Sequence, residues 1–208
     1  MQAGKKKVII RIASYALLAG GLYFLISGAR EVLTPWIHQK IAALPDSPSD
    51  PPGERPSPDK LNRNLFRPGD TVARLSIPRL DGVWSIVEGT DKRNLRLGPG
   101  HLVGSAFPGE KGNCIIAGHR DTQFRILKDI REGDDIVLET SVGAYRYRVT
   151  GTRIVKISNT DSLADTSKGA LSLITCYPFY YLGNAPKRFV VRATLIGPEV
   201  TSASASAN

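Results

Sequence analysis

Cysteine, histidine and arginine are the residue types in this sequence that could support covalent chemistry. The chain has two cysteines and three histidines. Cys176 ends the apolar segment Leu171–Thr175, and a Tyr-Pro pair follows it at once. Because proline cannot donate to a sheet ladder, this placement predicts a thiol at a strand terminus. A thiol beside a cationic side chain loses its proton more readily, and the thiolate is the nucleophile. Cys176 is therefore the candidate nucleophile.

Two further residues at predicted strand ends could assist such a thiol. His119 follows the apolar segment Cys114–Gly118 and opens a polar loop, where functional groups are commonly presented. Its imidazole could act as a general acid and base. Arg188 opens the segment Phe189–Ala193, and its guanidinium stays charged and could bind an oxyanion or a substrate carbonyl. The three groups would act together if the strand ends meet in space.

The two cysteines also allow structural interpretations. Cys176 could be a buried structural thiol, or it could form a disulfide with Cys114 if the domain faces an oxidising compartment. Spacing alone does not separate these alternatives from catalysis. Cys114 and His119 are five residues apart, so a regular strand would point them to opposite faces. This favours Cys114 as a core residue.

The remaining histidines give weaker signals. His38 lies beside Trp36 in a juxtamembrane stretch, where an interfacial role is expected. His101 lies in the turn-rich string G-P-G-H, which predicts an ordinary surface or turn residue. No cluster of oxygen ligands is specific enough to predict calcium or another metal, and no cofactor is predicted.

The elements that must position these residues are short β-strands with little helix. Tyr145–Ile157 alternates bulky and polar residues over part of its length. This two-residue period indicates a strand with one face buried and the other exposed to solvent. Seven or eight strands in about 135 residues favour a closed barrel or a sandwich, since closure removes vulnerable edges. Helical periodicity is confined to Phe124–Ile130 and a turn at Asn94–Leu97. The predicted strands are Val72–Ile77, Val83–Val87, Asn113–Gly118, Asp135–Glu139, Tyr145–Ile157, Leu171–Cys176 and Arg188–Leu195.

Much of the net charge of +9 comes from an N-terminal cluster of bases. Residues 1–30 contain five bases and no acid, whereas later bases are scattered among acids. This pattern does not predict a nucleic-acid-binding surface. Residues 1–7 form a basic cap, and the apolar stretch 8–29 is long enough to cross a membrane. The positive-inside rule then predicts a single-pass anchor with a cytoplasmic N-terminus and an extracytoplasmic domain.

The anchor is joined to the folded domain by a linker, 30–61, that is rich in proline. Such a segment has little apolar surface to bury and is predicted to act as an extended spacer. The catalytic domain is predicted at 62–198, and the small polar tail 199–208 is predicted to be disordered. Within the domain, the loop Ser158–Gly169 is expected to border the site.

Three ordered strings resemble the sortases, the membrane-anchored cysteine transpeptidases of bacterial cell surfaces. They are A-G-H-R ending at Arg120, S-L-I-T-C ending at Cys176, and A-P-K-R-F-V-V containing Arg188. The family signature T-L-x-T-C carries Ser172 in place of its first threonine. The strings C-Y-P-F and A-P-K-R resemble the class D branch. The resemblance covers about Thr71–Leu195 and implies an eight-stranded sortase-type β-barrel with short helices.

The resemblance also implies an activity and its residues. Cys176 would attack the threonine carbonyl of an L-P-x-T-G-like sorting signal and hold the substrate protein as a thioester. His119 would protonate the leaving amine and deprotonate the incoming one, while Arg188 would orient substrate and stabilise the oxyanion. Thr175 would help to bind substrate; the alternative is an ordinary β-forming residue of the strand. The acyl group would pass to an amine, either of a cell-wall peptide or of a pilin lysine, and the enzyme would have thiol protease chemistry.

Three other classes of protein are alternatives to a sortase. A papain-like hydrolase places its cysteine before its histidine, the reverse of the order here. An L,D-transpeptidase carries both residues in one short motif, whereas His119 and Cys176 are 57 residues apart. A non-enzymatic surface β-domain with Cys114 bonded to Cys176 is the third alternative.

Overall fold

The computed structural model describes residues 14–30, 33, 37, 66–159, 164, 166–181 and 183–198. The chain divides into two compact units, Met1–His38 and Gln39–Asn208. The predicted basic cap, the start of the predicted anchor at 8–13, most of the linker and the tail from 199 lie outside the described residues.

The N-terminal unit contains helix α1, residues 14–30. Its large apolar side chains, among them Leu17 and Phe24, are exposed. Within the described part of the chain, no helix combines the length and the apolar character needed to cross a membrane.

The second unit is a closed eight-stranded barrel, as predicted. The strand order around the barrel is β1-β2-β3-β4-β7-β8-β6-β5. The short helix α2, Asn94–Leu97, and two 3-10 helices, Pro78–Leu80 and Gln123–Asp129, lie in the connections. The strands are β1 Thr71–Ile77, β2 Gly82–Glu88, β3 Gly100–His101, β4 Gly112–Gly118, β5 Asp135–Thr140, β6 Gly143–Lys156, β7 Gly169–Tyr177 and β8 Lys187–Pro198.

The alternation of residue types decides which side chains fill the barrel. In β6, Tyr145, Tyr147 and Val149 are buried, while the arginines between them are partly or fully exposed. An eight-stranded barrel is narrow enough for side chains to fill its interior. The largest fully buried side chains include Tyr147, Phe124, Leu75, Ile77, Ile86, Ile116, Leu138 and Leu173. The barrel therefore has a packed core, and substrate must bind outside it.

Two features of the fold differ from the expectations. Strand β3 has only two residues, Gly100–His101, and lies where the sequence predicts a turn. Two residues are too few to show the period that identifies a strand. The predicted helix Phe124–Ile130 is a 3-10 helix, Gln123–Asp129, with a kink at Phe124.

Two strand pairings position the candidate site. Strands β4 and β7 are parallel neighbours with Gly118 opposite Thr175, so both end at the same edge of the barrel. Strand β8 is antiparallel to β7 and therefore begins at that edge. The residues that follow β4, end β7 and begin β8 are brought together here.

Candidate active site

Cys176 and Arg188 are direct partners across β7 and β8. The Cβ atoms of opposite residues in an antiparallel pair lie about 4.5–5.5 Å apart on the same face of the sheet. His119 follows Gly118, whose register partner Thr175 precedes Cys176. The fold thus brings all three predicted side chains to one barrel end.

The thiol of Cys176 is free and half-buried. Cys114 is also free, is buried, and lies opposite Leu171. Leu171 and Cys176 are five residues apart on β7, which separates the cysteines by about 16 Å along the sheet. A disulfide needs Cα atoms less than about 7 Å apart. The disulfide-bonded alternative is therefore excluded.

His119 is exposed at the start of the loop after β4. Its backbone is held by the 3-10 helix that follows: the His119 N–H donates to Gln123 Oε1 at 3.2 Å, and the His119 carbonyl accepts from the Phe124 N–H at 2.9 Å. The Thr122 hydroxyl donates to the same Gln123 oxygen at 2.7 Å. These bonds fix the backbone and leave the imidazole open to solvent and substrate.

Arg188 is half-buried, and its guanidinium is oriented by backbone carbonyls at and just before the start of β8. Its Nη1 donates to the Lys187 carbonyl at 2.9 Å and to the Ala185 carbonyl at 3.2 Å. Only one of its three nitrogens takes part in these bonds. Because a guanidinium has five N–H donors, the remaining nitrogens can still bind a substrate oxygen.

Thr175 joins the two strand ends that carry the site. It is buried, and its hydroxyl donates to the Gly118 carbonyl at 2.7 Å. This bond ties the residue before His119 to the residue before Cys176. The hydroxyl is thus committed to the backbone, and substrate contact by Thr175 stays a prediction.

Arg120 connects the loop after β4 to the loop between β7 and β8, a connection that the sequence does not predict. Its Nη2 donates to the Tyr181 carbonyl at 2.5 Å and to the Gly183 carbonyl at 3.1 Å. The guanidinium also lies over the Tyr181 ring, 5.8 Å from its centroid. The only sequence signal for Arg120 is its position beside His119, because its partners are more than 60 residues away.

An aromatic cluster supports the end of β7. The rings of Tyr177, Phe179 and Phe189 have centroids 5.2–6.4 Å apart. The Tyr177–Pro178 bond is cis. The cluster links the loop after Cys176 to the strand that carries Arg188.

An apolar surface continues from Cys176 along the outer face of the sheet. Ile174 lies two residues before Cys176, so both point to the same face. Its register partners are Ala117 on β4 and Val190 on β8. Ala117 and Ile174 are half-buried. An apolar side chain of a bound peptide could pack against this small apolar surface.

The structure corrects the expectation for His101, which is a buried residue and not a surface one. Its Nδ1 lies 2.8 Å from Glu88 Oε2, and its Nε2 lies 3.0 Å from the Ala106 carbonyl oxygen. Burial lowers the pKa of His101, but hydrogen bonding to Cys114 and to Glu88 raises it to about 10. The group is a buried ion pair between the last residues of β2 and β3.

Among residues 14–30, 66–159 and the other described positions, no three or more His, Cys, Asp or Glu side chains are grouped so that they could hold a metal ion. The chemistry available at the strand ends is that of a thiol, an imidazole and a guanidinium. This combination suits attack on a carbonyl with proton transfer to and from an amine.

Known proteins are similar to this chain in sequence and in fold. The chain is 37% identical over 193 residues to sortase D of Bacillus subtilis, a match that covers 89% of this chain and 96% of that protein. A sortase D transpeptidase of Clostridium perfringens superposes with a TM-score of 0.60 at 28% identity, over 68% of this chain and 89% of that one.

A further solved structure is a sortase C of Clostridium perfringens with the C-terminal cell wall sorting motif. It is 25% identical, with a TM-score of 0.59, over 66% of this chain and 77% of that chain. A family model for the sortase domain matches residues 75–196, which include His119, Cys176 and Arg188. The chain belongs to the sortase family of cysteine transpeptidases.

Proposed function

We propose that this protein is a membrane-anchored sortase that cleaves an L-P-x-T-G-like sorting signal and transfers the substrate protein to an amine at the cell surface. The observation that carries the proposal is the direct cross-strand pairing of Cys176 with Arg188 beside the strand end that precedes His119. The half-buried free thiol is reachable by a peptide on the barrel surface.

The first half-reaction forms a thioester. The Cys176 thiolate attacks the threonine carbonyl carbon, and the resulting oxyanion accepts hydrogen bonds from Arg188. The C–N bond after the threonine then breaks, and His119 donates the proton that the leaving amine requires. The substrate protein remains attached through its threonine carbonyl to Sγ.

The second half-reaction restores the enzyme. A primary amine attacks the thioester, and neutral His119 accepts the proton that the amine loses. A new C–N bond forms and the thiolate leaves, so one amide has been exchanged for another without water. The amine is that of a cell-wall peptide or of a pilin lysine. Water in place of the amine gives hydrolysis, the thiol protease side of the same chemistry.

The sorting signal is expected to lie along the outer face of β7. Its threonine carbonyl would face Cys176 and Arg188, and its leucine would pack on Ala117 and Ile174. The geometry supports this placement of the leucine, because Ala117 and Ile174 are half-buried and Ile174 lies two residues before Cys176 on the same face. The sorting motif in the Clostridium perfringens sortase C structure supports this class of substrate.

The cellular location is proposed from the sequence. Three lysines, Lys5–Lys7, precede the apolar stretch 8–29, which would hold the N-terminus in the cytoplasm and export the barrel. Alkaline phosphatase fused after residue 61 is expected to be active, and the same fusion without residues 8–29 is expected to be inactive. Equal activity of the two fusions would refute the proposed topology.

The test of function uses the full-length protein in detergent with a sorting-signal peptide. Mass spectrometry should detect a thioester adduct at Cys176, and adding an amine should convert it to the ligated peptide. Cys114→Ala is the matched control and should retain the adduct, whereas Cys176→Ala should lose it. An adduct or cleavage that survives in Cys176→Ala would refute the proposal.

A further inference from the structure

A polar groove lies on the outer face of the sheet, farther along β7 and β8 than the apolar surface described above. Arg153 and Arg192 line it together with several threonines, among them Thr150 and Thr166. Arg188, Val190 and Arg192 alternate along β8 and therefore point to the same face. The groove is thus continuous with the surface that carries Cys176.

Arg192 is held in place by buried polar groups. Its Nη1 donates to Ser172 Oγ at 3.1 Å, and the Ser172 hydroxyl donates to Asn113 Oδ1 at 2.8 Å. Ser172 and Asn113 are both buried. A guanidinium oriented in this way loses less conformational freedom when it binds an anion, because part of the ordering has already occurred on folding.

Among the residues that the structure describes, no carboxylate neutralises the positive charge of this groove. Across the described parts of the domain, no carboxylate lies within ion-pair distance of Arg153 or Arg192, although Arg79, Arg146 and Arg148 all have such partners. Arg153 is exposed and Arg192 is half-buried. Two guanidinium groups that have no carboxylate partner among the described residues form a site suited to a carboxylate.

The spacing along the strand fixes which substrate residue could reach these arginines. Arg192 is four residues from Arg188 on β8, which corresponds to about 13 Å. An extended peptide advances by about the same distance over four residues. If the threonine carbonyl lies at Cys176 and the leucine lies near Ile174, the residue immediately before the leucine lies beside Arg192.

We propose that Arg192 and Arg153 form a subsite for an acidic side chain immediately N-terminal to the sorting motif. The inference rests on the proposed function and extends it to a substrate preference. Substrates with Glu or Asp at this position are acylated faster than those with a neutral or basic residue, because the carboxylate binds the two guanidinium groups.

The test compares three peptides that differ only in the residue before L-P-x-T-G: Glu, Gln or Lys. For the wild-type protein in low salt, kcat/KM for the Glu peptide should exceed that of the Gln peptide by about three- to tenfold. The Lys peptide should be the poorest. Raising the ionic strength to about 0.5 M should shrink the difference, since salt screens partly exposed charges.

Variants assign the preference to the groove. Arg192→Gln should remove most of the preference and Arg153→Gln part of it, while turnover of the Gln peptide changes less than twofold. Arg192→Lys should retain a reduced preference. Arg74→Gln, an exposed arginine on β1 that lies on another strand, is the control with the same change in net charge and should behave as wild type.

Equal kcat/KM for the Glu and Gln peptides in the wild-type protein would overturn the inference. A preference that persists in the Arg153→Gln, Arg192→Gln double variant would also overturn it. If the variants changed only the binding of a polyanion such as heparin, the groove would be a general anion surface and the inference would be wrong. Failure of all three peptides to acylate Cys176 would refute the proposed function, and the inference with it.

Discussion

Cys176 and Arg188 face one another across adjacent antiparallel strands, with the Arg188 guanidinium held by the Ala185 and Lys187 carbonyls. The relative position of thiol and cation is therefore set by sheet register rather than by a flexible loop. A sheet ladder holds its partners more rigidly than a surface loop does, which is what a preorganised site requires.

Replacing Arg188 tests the role of the guanidinium. Arg188→Ala should lower kcat for thioester formation by about 100- to 1000-fold, because it removes donors to the oxyanion. Arg188→Lys should recover little of this loss, since an ammonium lacks the planar set of donors. Single-turnover acylation measures the effect.

Arg74→Ala, which removes an exposed arginine on a different strand, is the control for Arg188. Circular dichroism should show both variants folded, because the hydrogen bonds of the Arg188 side chain to described residues are to the nearby Ala185 and Lys187 carbonyls. Acylation at the wild-type rate in folded Arg188→Ala would contradict the assigned role.

Arg120 is expected to be a positioning residue that holds the loop between β7 and β8 against the loop that carries His119. Arg120→Ala removes the hydrogen bonds to the Tyr181 and Gly183 carbonyls. We expect faster hydrogen exchange over residues 178–186 and a fall of about tenfold in kcat/KM, because misplaced catalytic groups slow the reaction.

Arg125→Ala is the matched control for Arg120. Its guanidinium lies over the Tyr180 ring, 5.3 Å from the centroid, in the same region of the surface. It should change neither hydrogen exchange nor kcat/KM by more than about twofold. A purely structural role of Arg120 would show as lower thermal stability with unchanged kcat/KM, and would refute positioning.

Thr175 is expected to maintain the alignment of the two strand ends. Thr175→Val keeps the shape but leaves the buried Gly118 carbonyl without its partner, which should cost about 1–3 kcal/mol of unfolding free energy. Thr175→Ser retains a hydroxyl and should therefore keep most of the unfolding free energy that the valine variant loses. Chemical denaturation measures both variants, and equal stability of the valine variant and wild type would contradict the prediction.

The buried pair of His101 and Glu88 should make the free energy of unfolding decrease at alkaline pH. The folded-state pKa of His101, raised to about 10, exceeds its ordinary value of 6.5. The stabilisation is therefore fully present below about pH 6.5 and is lost as the pH rises through about 10. Melting temperatures between about pH 6 and pH 10.5 should decline more steeply for wild type than for His101→Gln, Glu88→Gln.

The single variant provides the complementary measurement. His101→Ala leaves Glu88 buried without its cation and should lose about 3–5 kcal/mol of stability. Because other side chains titrate in the same range, the difference between wild type and the double variant isolates this pair. Identical pH slopes for the two proteins would show that the pair does not couple to folding.

The sequence alone determined the fold class and the candidate side chains. Alternation in segments such as Tyr145–Ile157 and the scarcity of helical periodicity were sufficient for an all-β barrel or sandwich, since side-chain burial in strands has a local period. The resemblance of three short strings to the sortases selected the barrel. The apolar segments Cys114–Gly118 and Leu171–Thr175 were sufficient to place His119 and Cys176 at strand ends.

Only the tertiary structure decided how these elements meet. The register that sets Cys176 opposite Arg188, the bonds from Arg120 to Tyr181 and Gly183, and the burial of His101 all join residues distant in sequence. A local pattern reports burial and period, whereas register depends on how all eight strands close around one core. The sequence therefore identified the candidate catalytic side chains, and barrel closure determined their geometry.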